Sequence, residues 1–208
     1  MSLLKIFYPL IILGTAIHLP AVAQSTKARA VNKRDTVAIV PKLAWKAQEA
    51  RPYKQHVPIK ITVHHEGGKL LTVSDDAKQR LKNIQSWGMG PDRKWADVPY
   101  HFLIAPDGTV YEGRNPLTVG ETNTEYDPTG HLLICFLGNY SQQKLDEKLL
   151  KVLINLLADS CIKYGISPTE ISTHRDHSKQ TTCPGEDIYA YFKNGYIVDE
   201  VSKVLKAK

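Results

Sequence analysis

The feature that most constrains this chain is an almost wholly apolar run from Leu132 to Leu137. A strand without polar alternation has to be covered on both faces, which is typical of central strands in sheets that carry helices on either side. The run therefore predicts the central strand of a layered α/β fold, with further strands beside it and helices covering the sheet.

The remaining pattern supplies those strands and helices in alternation. Period-two alternation and turn signals predict short strands at residues 59–65, 101–105, 109–112 and 171–173. Apolar residues at helical spacing, between polar starts and glycine stops, predict helices at 74–88, at 145–165 and in one final short segment from Glu186. We expect a single α/β domain with a central mixed β-sheet flanked by α-helices.

The first 23 residues differ from the rest of the chain. Lys5 is their only charge, an apolar run follows over residues 6–19, and small residues stand at Ala21 and Ala23, as in a secretory signal peptide. The run is shorter than the about 20 apolar residues of a membrane span, so we favour a signal peptide at 1–23 over an uncleaved anchor. We expect no stable membrane anchor and export to the periplasm or the extracellular space.

Length and composition fit one globular domain. The chain has 208 residues, of which 42% are hydrophobic and 23% charged, and this is ordinary for a folded protein. Residues 24–44 are assigned to a basic N-terminal arm and residues 45–208 to the domain.

The net charge of +6 favours approach to an anionic polymer, but the basic residues are scattered and no nucleic-acid motif is present. We expect a monomer that does not bind nucleic acid.

Three cysteines remain for the mature chain, so at least one of them is unpaired. Cys135 and Cys161 occur in apolar patterns and are interpreted as buried packing residues, and a disulfide between them stays open. Cys183 differs because it lies in a polar loop directly before Pro184. Cys183 is therefore the cysteine that needs a chemical explanation.

A histidine pair ends the first predicted strand. Because side chains alternate between the faces of a strand, His65 shares a face with Ile61 and Val63, whereas His64 shares the other with Thr62. His64 is then the histidine expected at a functional edge, and His65 a hydrogen-bonded structural residue. If no other candidate functional residue were expected near this pair, both histidines would be interpreted as packing residues.

A second histidine and Cys183 lie close together in the chain. His174 and Cys183 are nine residues apart in one loop, which is long enough to bring both side chains to one ion. With His64 they would give Zn²⁺ three protein ligands and leave the fourth tetrahedral position for water, the arrangement of catalytic zinc. Spacing alone supports a zinc site and a chance occurrence of His and Cys about equally.

Several motifs occur in a fixed order along the chain. They are ITVHH, WADVPYHF, DGTVYEGR, GN, and HRD followed by CPG, at residues 61–65, 95–102, 107–114, 138–139 and 174–185. This series resembles the type 2 N-acetylmuramoyl-L-alanine amidases, which include phage amidases and catalytic peptidoglycan recognition proteins, from about Trp45 to about Tyr191. The resemblance implies zinc-dependent hydrolysis of the amide bond between N-acetylmuramic acid and L-alanine in peptidoglycan or its muropeptide fragments, with one zinc ion per chain at one edge of the sheet.

The functional residues of that family carry over to the positions that match its motifs. The resemblance implies zinc ligands at His64, His174 and Cys183, in agreement with the strand faces. The catalytic tyrosine before the His-Phe pair matches Tyr100. A Lys or Thr two residues before the cysteine matches Thr181, as in the recognition-protein branch. The implied mechanism is attack by zinc-activated water, with Tyr100 as a hydrogen-bonding participant and Thr181 as a donor to the oxyanion.

Further residues are secondary candidates. The His-to-Cys spacing is one residue longer than usual in the family, so Lys179 is retained beside Thr181. Glu66 follows the histidine pair where many relatives have a small hydroxyl residue, and we interpret it as a solvated loop acid rather than a substrate contact. Candidates for lining a substrate groove are Arg114, Asn139, Tyr126, Trp87 and Trp95.

Three other classes of protein are weighed against the amidase. A non-catalytic peptidoglycan-binding module would share the fold, but such modules typically lack one of the three ligands. A cysteine peptidase would use Cys183 as its nucleophile, but a cysteine before a proline in a loop supports this poorly. A purely structural zinc site would need a fourth ligand, for which His177 is the candidate.

Overall fold

The computed structural model describes residues 36–207, so the predicted signal peptide and the first part of the predicted arm lie outside the described residues. Its strands are β1 Ile39–Val40, β2 Lys60–His65, β3 Phe102–Ile104, β4 Val110–Glu112, β5 His131–Phe136 and β6 Ile171–Thr173. They form one sheet in the order β1-β4-β3-β5-β2-β6. The pair β3–β4 is antiparallel and the other pairs are parallel, which confirms the mixed sheet.

The helices are α1 Ala77–Gly88, α2 Glu147–Tyr164, α3 His174–His177, α4 Glu186–Lys193 and α5 Tyr196–Lys206. The side chain of Asp76 caps α1 by accepting the Gln79 N–H, and Gly165 ends α2 in the left-handed conformation. The prediction of one final helix is wrong, because Gly195 adopts a φ of +79° and separates two helices. Among the described residues, no helix has the length and apolar character that crossing a membrane requires.

Alternate side chains of β5 pack into two cores on opposite faces of the sheet. Leu132, Ile134 and Phe136 are fully buried among residues of α2 and α5. Cys135, and Leu137 directly after the strand, pack on the other face with residues of α1. Helices therefore cover this strand on both sides, as its apolar sequence predicted.

The two packing cysteines lie in different cores. Cys161, on α2, belongs to one core, and Cys135 belongs to the other. Both thiols are buried and free, as is that of Cys183. Because the sheet separates Cys135 from Cys161, the disulfide that the sequence left open is not formed.

Part of the segment before residue 45 belongs to the sheet. β1 pairs in parallel with β4 at one edge. Trp45 follows it and is 1% exposed, and its indole N–H donates to the carbonyl oxygen of Glu112 at 2.8 Å. β1 is therefore the strand at one lateral edge of the sheet, and β6 is the strand at the other.

The interior also holds a histidine that stays neutral. His101 is fully buried; its Nδ1 accepts the Leu133 N–H at 2.7 Å, and its Nε2 donates to the carbonyl oxygen of Thr118 at 2.9 Å. Burial lowers the pKa of this imidazole to about 3. A proton on Nδ1 would break the bond to Leu133 and place a charge in the core.

We expect the free energy of unfolding to fall as the pH drops below 6.5, because the unfolded chain then binds a proton at His101 that the folded chain does not. This group alone should account for about 2 kcal/mol of lost stability by pH 5. Urea unfolding between pH 7 and 5 measures the loss. In His101→Gln, whose amide can both accept and donate, the slope should be shallower, and an identical slope would contradict the assignment.

Candidate metal centre

Two candidate ligands lie at the carboxyl ends of neighbouring parallel strands, and therefore at the same end of the sheet. β2 pairs with β6 so that Val63 lies opposite Thr173, and His64 and His174 are the next residue of each chain segment. Ligands of open α/β sheets bind at the carboxyl ends of the strands. Asp176 holds the turn after β6, because its carboxylate accepts both the N–H and the hydroxyl of Thr173 at 2.7 Å.

The loop after α3 brings the third candidate ligand, Cys183, to the same end of the sheet. The sulfur of Cys183 accepts the backbone N–H of His65 at 3.3 Å and lies 3.7 Å from Nδ1 of His64. The loop is tied in place by two further bonds: the Arg175 N–H donates to the carbonyl oxygen of Cys183, and the Cys183 N–H donates to Oγ1 of Thr181, both at 3.0 Å.

The three side chains lie close enough together to hold a metal ion. The ligand atoms of His64, His174 and Cys183 all lie within 4.8 Å of one another, and all three residues are buried. Ligand atoms around a tetrahedral zinc ion are about 3.5 Å apart, so small movements would suffice. Nε2 of His64 is a buried polar atom with no hydrogen-bond partner among the described residues. Such atoms are rare, and the donor set fits a metal that prefers imidazole and thiolate.

Burial sets the protonation of the three ligands. It lowers the pKa of His64 well below its usual value and that of His174 to about 4, so both imidazoles are neutral at pH 7 and can bind a cation. Burial raises the pKa of the Cys183 thiol to about 12. This thiol loses its proton only when a cation compensates the charge, as a coordinated metal ion does.

Tyr100 and Thr181 stand beside this group. The ring of Tyr100 is 5.2 Å from that of His64, centroid to centroid, and burial raises the pKa of its hydroxyl well above 10. Tyr100 is therefore a neutral phenol that can donate a hydrogen bond. Thr181 lines the same cavity, and because its oxygen accepts the N–H of Cys183, its hydroxyl hydrogen is left to donate.

Two other histidines have different surroundings. Nδ1 of His65 accepts the Tyr140 N–H at 3.0 Å, which confirms its interpretation as a hydrogen-bonded structural residue. Nε2 of His177 lies 2.7 Å from the hydroxyl of Ser172. His177 is not part of the candidate ligand group formed by His64, His174 and Cys183, so its position does not support a structural site with four ligands.

Two adjoining cavities form a cleft at the metal group. One, of about 280 Å³, surrounds the three ligands, and the other, of about 460 Å³, extends away from them along α1. Trp87 and Trp95 line the larger cavity in edge-to-face contact at 5.3 Å, with the Arg93 guanidinium 4.7 Å from the Trp87 ring centroid. The residues common to both cavities are Glu66, Gly67, Trp95, Tyr100 and Asn123.

Sequence reasoning missed several residues of the cleft, among them Arg80, Asn83 and Asn123. Polar residues on a helix surface or in a loop form no pattern that separates a cleft from a solvated face. The one signal that could have grouped Arg80 and Asn83 with Trp87 is their spacing, which places them on the same side of α1.

Arg114 does not line the cleft, contrary to the prediction. It is 1% exposed, and its guanidinium donates to the carbonyl oxygens of Val98, Val119 and Asp97 and pairs with the carboxylate of Glu121. These four acceptors occupy the side chain, so Arg114 holds together the loops beneath the cleft.

Three other candidates also lie outside both cavities. The amide of Asn139 donates to the carbonyl oxygen of Gly68 and accepts the Ser141 N–H, both at 3.1 Å, and so joins two loops. Lys179 is exposed and does not line either cavity. Tyr126 is buried against the ring of His174, at 5.3 Å between centroids, instead of forming a groove wall.

Glu66 is not a solvated loop acid. Its side chain is 9% exposed, its carboxylate pairs with the guanidinium of Arg80, and it lines both cavities. The interpretation was wrong because the partner lies 14 residues away on α1, where only the folded chain brings it within reach.

Comparisons with known proteins identify the sequence family of this chain and proteins of similar structure. Residues 54–186 match the model of the N-acetylmuramoyl-L-alanine amidase family. Peptidoglycan recognition protein 1 of Rattus norvegicus is 32% identical over 160 residues, which cover 73% of this chain and 83% of that protein. Drosophila peptidoglycan recognition protein SD has a similar structure, with a TM-score of 0.68, 27% identity and coverage of 76% of this chain and 94% of that one. Human PGRP-IBETAC, solved in complex with glycosamyl muramyl pentapeptide, has a TM-score of 0.66 and 26% identity, covering 74% and 94%.

We expect Arg114→Gln to lower the free energy of unfolding by about 3–5 kcal/mol, because it leaves the buried carboxylate of Glu121 without its positively charged partner. Urea unfolding at pH 7 checks this. Arg93→Gln, which removes the same charge from the exposed rim, should cost less than about 1 kcal/mol. If both variants lost the same small amount of unfolding free energy, the structural role of Arg114 would be contradicted, and Arg114 would again be a candidate for contacting substrate.

Proposed function

Since this chain belongs to the N-acetylmuramoyl-L-alanine amidase family, we propose that it hydrolyses the amide bond between N-acetylmuramic acid and L-alanine in peptidoglycan or its muropeptide fragments. We propose one zinc ion per chain, held by His64, His174 and Cys183. The observation that carries the proposal is the convergence of these three buried side chains, from two separate parts of the chain, within 4.8 Å. Two imidazoles and one thiolate leave one tetrahedral position open to water or substrate.

The bound ion would supply a Lewis acid that polarises the scissile carbonyl and makes water nucleophilic at neutral pH. The chain's own residues would position the reacting groups. Tyr100, as a neutral phenol, would donate a hydrogen bond near the ligand group rather than take up a proton. Thr181 would donate its free hydroxyl hydrogen to the carbonyl oxygen as negative charge develops there.

Contacts around the ligands support the same site. The His65 N–H donates to the sulfur of Cys183 at 3.3 Å, which stabilises negative charge on that sulfur. The hydroxyl of Thr124 lies 2.7 Å from Nε2 of His174. Partners of this kind orient metal ligands and tune their basicity.

A second candidate function is recognition of peptidoglycan without cleavage. It is favoured by the relatives, which are named as recognition proteins, one of them solved in complex with a muramyl pentapeptide. The complete His/His/Cys group is the reason to place hydrolysis first.

Export remains part of the proposal. We propose that residues 1–23 are a signal peptide and that the rest of the chain acts as one exported, monomeric domain, which the assigned arm 24–44 joins through β1. The N-terminal sequence of the secreted chain and its mass in solution test these statements directly.

Digestion of purified peptidoglycan should release free stem peptides with L-alanine at the amino terminus, detected by mass spectrometry. Chelation should abolish the release, and added Zn²⁺ should restore it. Cys183→Ser should lower zinc content and reduce turnover at least about 100-fold. Mutating a residue that only hydrogen-bonds to a metal ligand already lowers metal affinity or activity by about 10–100-fold, and loss of a ligand itself should cost more. Cleavage that survives metal removal would identify a thiol enzyme, and binding without cleavage would identify a recognition module.

Tyr100→Phe should reduce kcat by roughly 10²–10³-fold, as expected for loss of one preorganised donor, while zinc content per chain stays at the wild-type level. Tyr111→Phe makes the same change on β4 outside both cleft cavities and is the matched control. Full activity in Tyr100→Phe would remove Tyr100 from the mechanism.

A further inference from the structure

One wall of the larger cavity is a face of helix α1. Arg80, Asn83 and Trp87 are three and four residues apart, so they lie on the same side of the helix, and all three line the cavity. Glu66 lines this cavity and also the one around the metal ligands. A ligand that extends from the metal group along α1 therefore passes the pair formed by Glu66 and Arg80.

Glu66 binds only one edge of the Arg80 guanidinium. Oε2 of Glu66 accepts the Nε–H of Arg80 at 3.0 Å, and Oε1 pairs with Nη2. The two parallel contacts fix the orientation of the arginine as a single hydrogen bond would not. The side chains are 9% and 25% exposed for Glu66 and Arg80, so solvent competes weakly for the carboxylate.

The other edge of the guanidinium remains available. Arginine has five N–H donors in a planar group, and Glu66 uses the Nε–H and one N–H of Nη2. Within residues 36–207, nothing accepts a hydrogen bond from Nη1 of Arg80. Nη1 is also not among the buried atoms that lack a partner, so it is accessible. Nη1 and Nη2 thus present a second fork of the shape that matches a carboxylate.

Neighbouring residues make room for this pair and add positive charge. A Cβ at Gly68 would lie 2.5 Å from Oε1 of Glu66 and 2.7 Å from Nη2 of Arg80, so only glycine leaves the pair undisturbed here. Farther along the wall, the Arg93 guanidinium lies over the ring of Trp87. Two guanidinium groups and one carboxylate leave this wall with a net positive charge, which suits an anionic ligand group.

We propose that Arg80 is a specificity-determining residue that binds a carboxylate of the stem peptide through its free Nη1/Nη2 edge, with Glu66 as the residue that positions it. This inference rests on the proposed function, which supplies the substrate class. The carboxylate would form two parallel charge-assisted hydrogen bonds, one to each of its oxygens. A primary amide at the same place has one acceptor oxygen instead of two and no negative charge.

The test uses pairs of muropeptides that differ only in one stem-peptide carboxylate, converted to its primary amide, with each carboxylate examined in turn. For the zinc-loaded wild type, one such conversion should raise KM about tenfold or more, as the loss of charge-assisted hydrogen bonds predicts. Arg80→Gln should bring the KM ratio for that pair close to one. Lys82→Gln removes the same charge from the same helix, outside both cavities, and should retain the wild-type ratio.

A binding measurement and a second variant make the test independent of turnover and of folding. Calorimetry with the free stem peptides should show the same discrimination between carboxylate and amide. Arg80→Gln leaves Glu66 unpaired, so the double variant Glu66→Gln/Arg80→Gln, which replaces the ion pair by two amides, should lose discrimination with a native thermal transition.

The outcomes separate the two proposals. Cleavage without discrimination in the wild type, or unchanged discrimination in both Arg80 variants, would overturn the role of Arg80 and leave the amidase function standing. Discrimination in calorimetry without any cleavage would overturn the amidase function and retain the role of Arg80.

Discussion

The site depends on the parallel pairing of β2 with β5 and β6. β5 is buried on both faces, and β2 pairs with it along its whole length, from Lys60 opposite His131 to His65 opposite Phe136. β6 then pairs with β2 in the same direction. The carboxyl ends of parallel strands lie at the same end of the sheet. This alignment therefore brings His64 and His174 together although they are distant in the chain.

The same burial that stabilises the sheet prepares the ligands for a metal ion. The imidazoles of His64 and His174 remain neutral because a charged form would lose its hydration. The thiol of Cys183 is protonated for the same reason, but the His65 N–H already points at its sulfur. A cation is the partner that would satisfy all three groups together.

Part of this arrangement could be predicted from the sequence, because it depends on neighbours along the chain. The polar helix start at residues 74–76, the stop at Gly165 and the apolar run 132–137 each determine local structure through backbone preference or burial. The structure agrees with the stop and the run, and it begins α1 at Ala77, after the cap Asp76, three residues later than predicted. The strand alternation also separated His64 from His65 correctly, since it depends only on which face of β2 each side chain occupies.

Other features were decided only by tertiary structure, because they depend on contacts between distant segments. Arg114 has a motif position that suggested a substrate contact, yet four acceptors from separate loops enclose it. Glu66 resembles an ordinary exposed acid until α1 places Arg80 beside it. Local sequence therefore determined the central strands, the two long helices and the candidate ligands. The division of the last helix, the cleft walls and the charge they carry required the folded chain, since burial and pairing are properties of the whole packed structure.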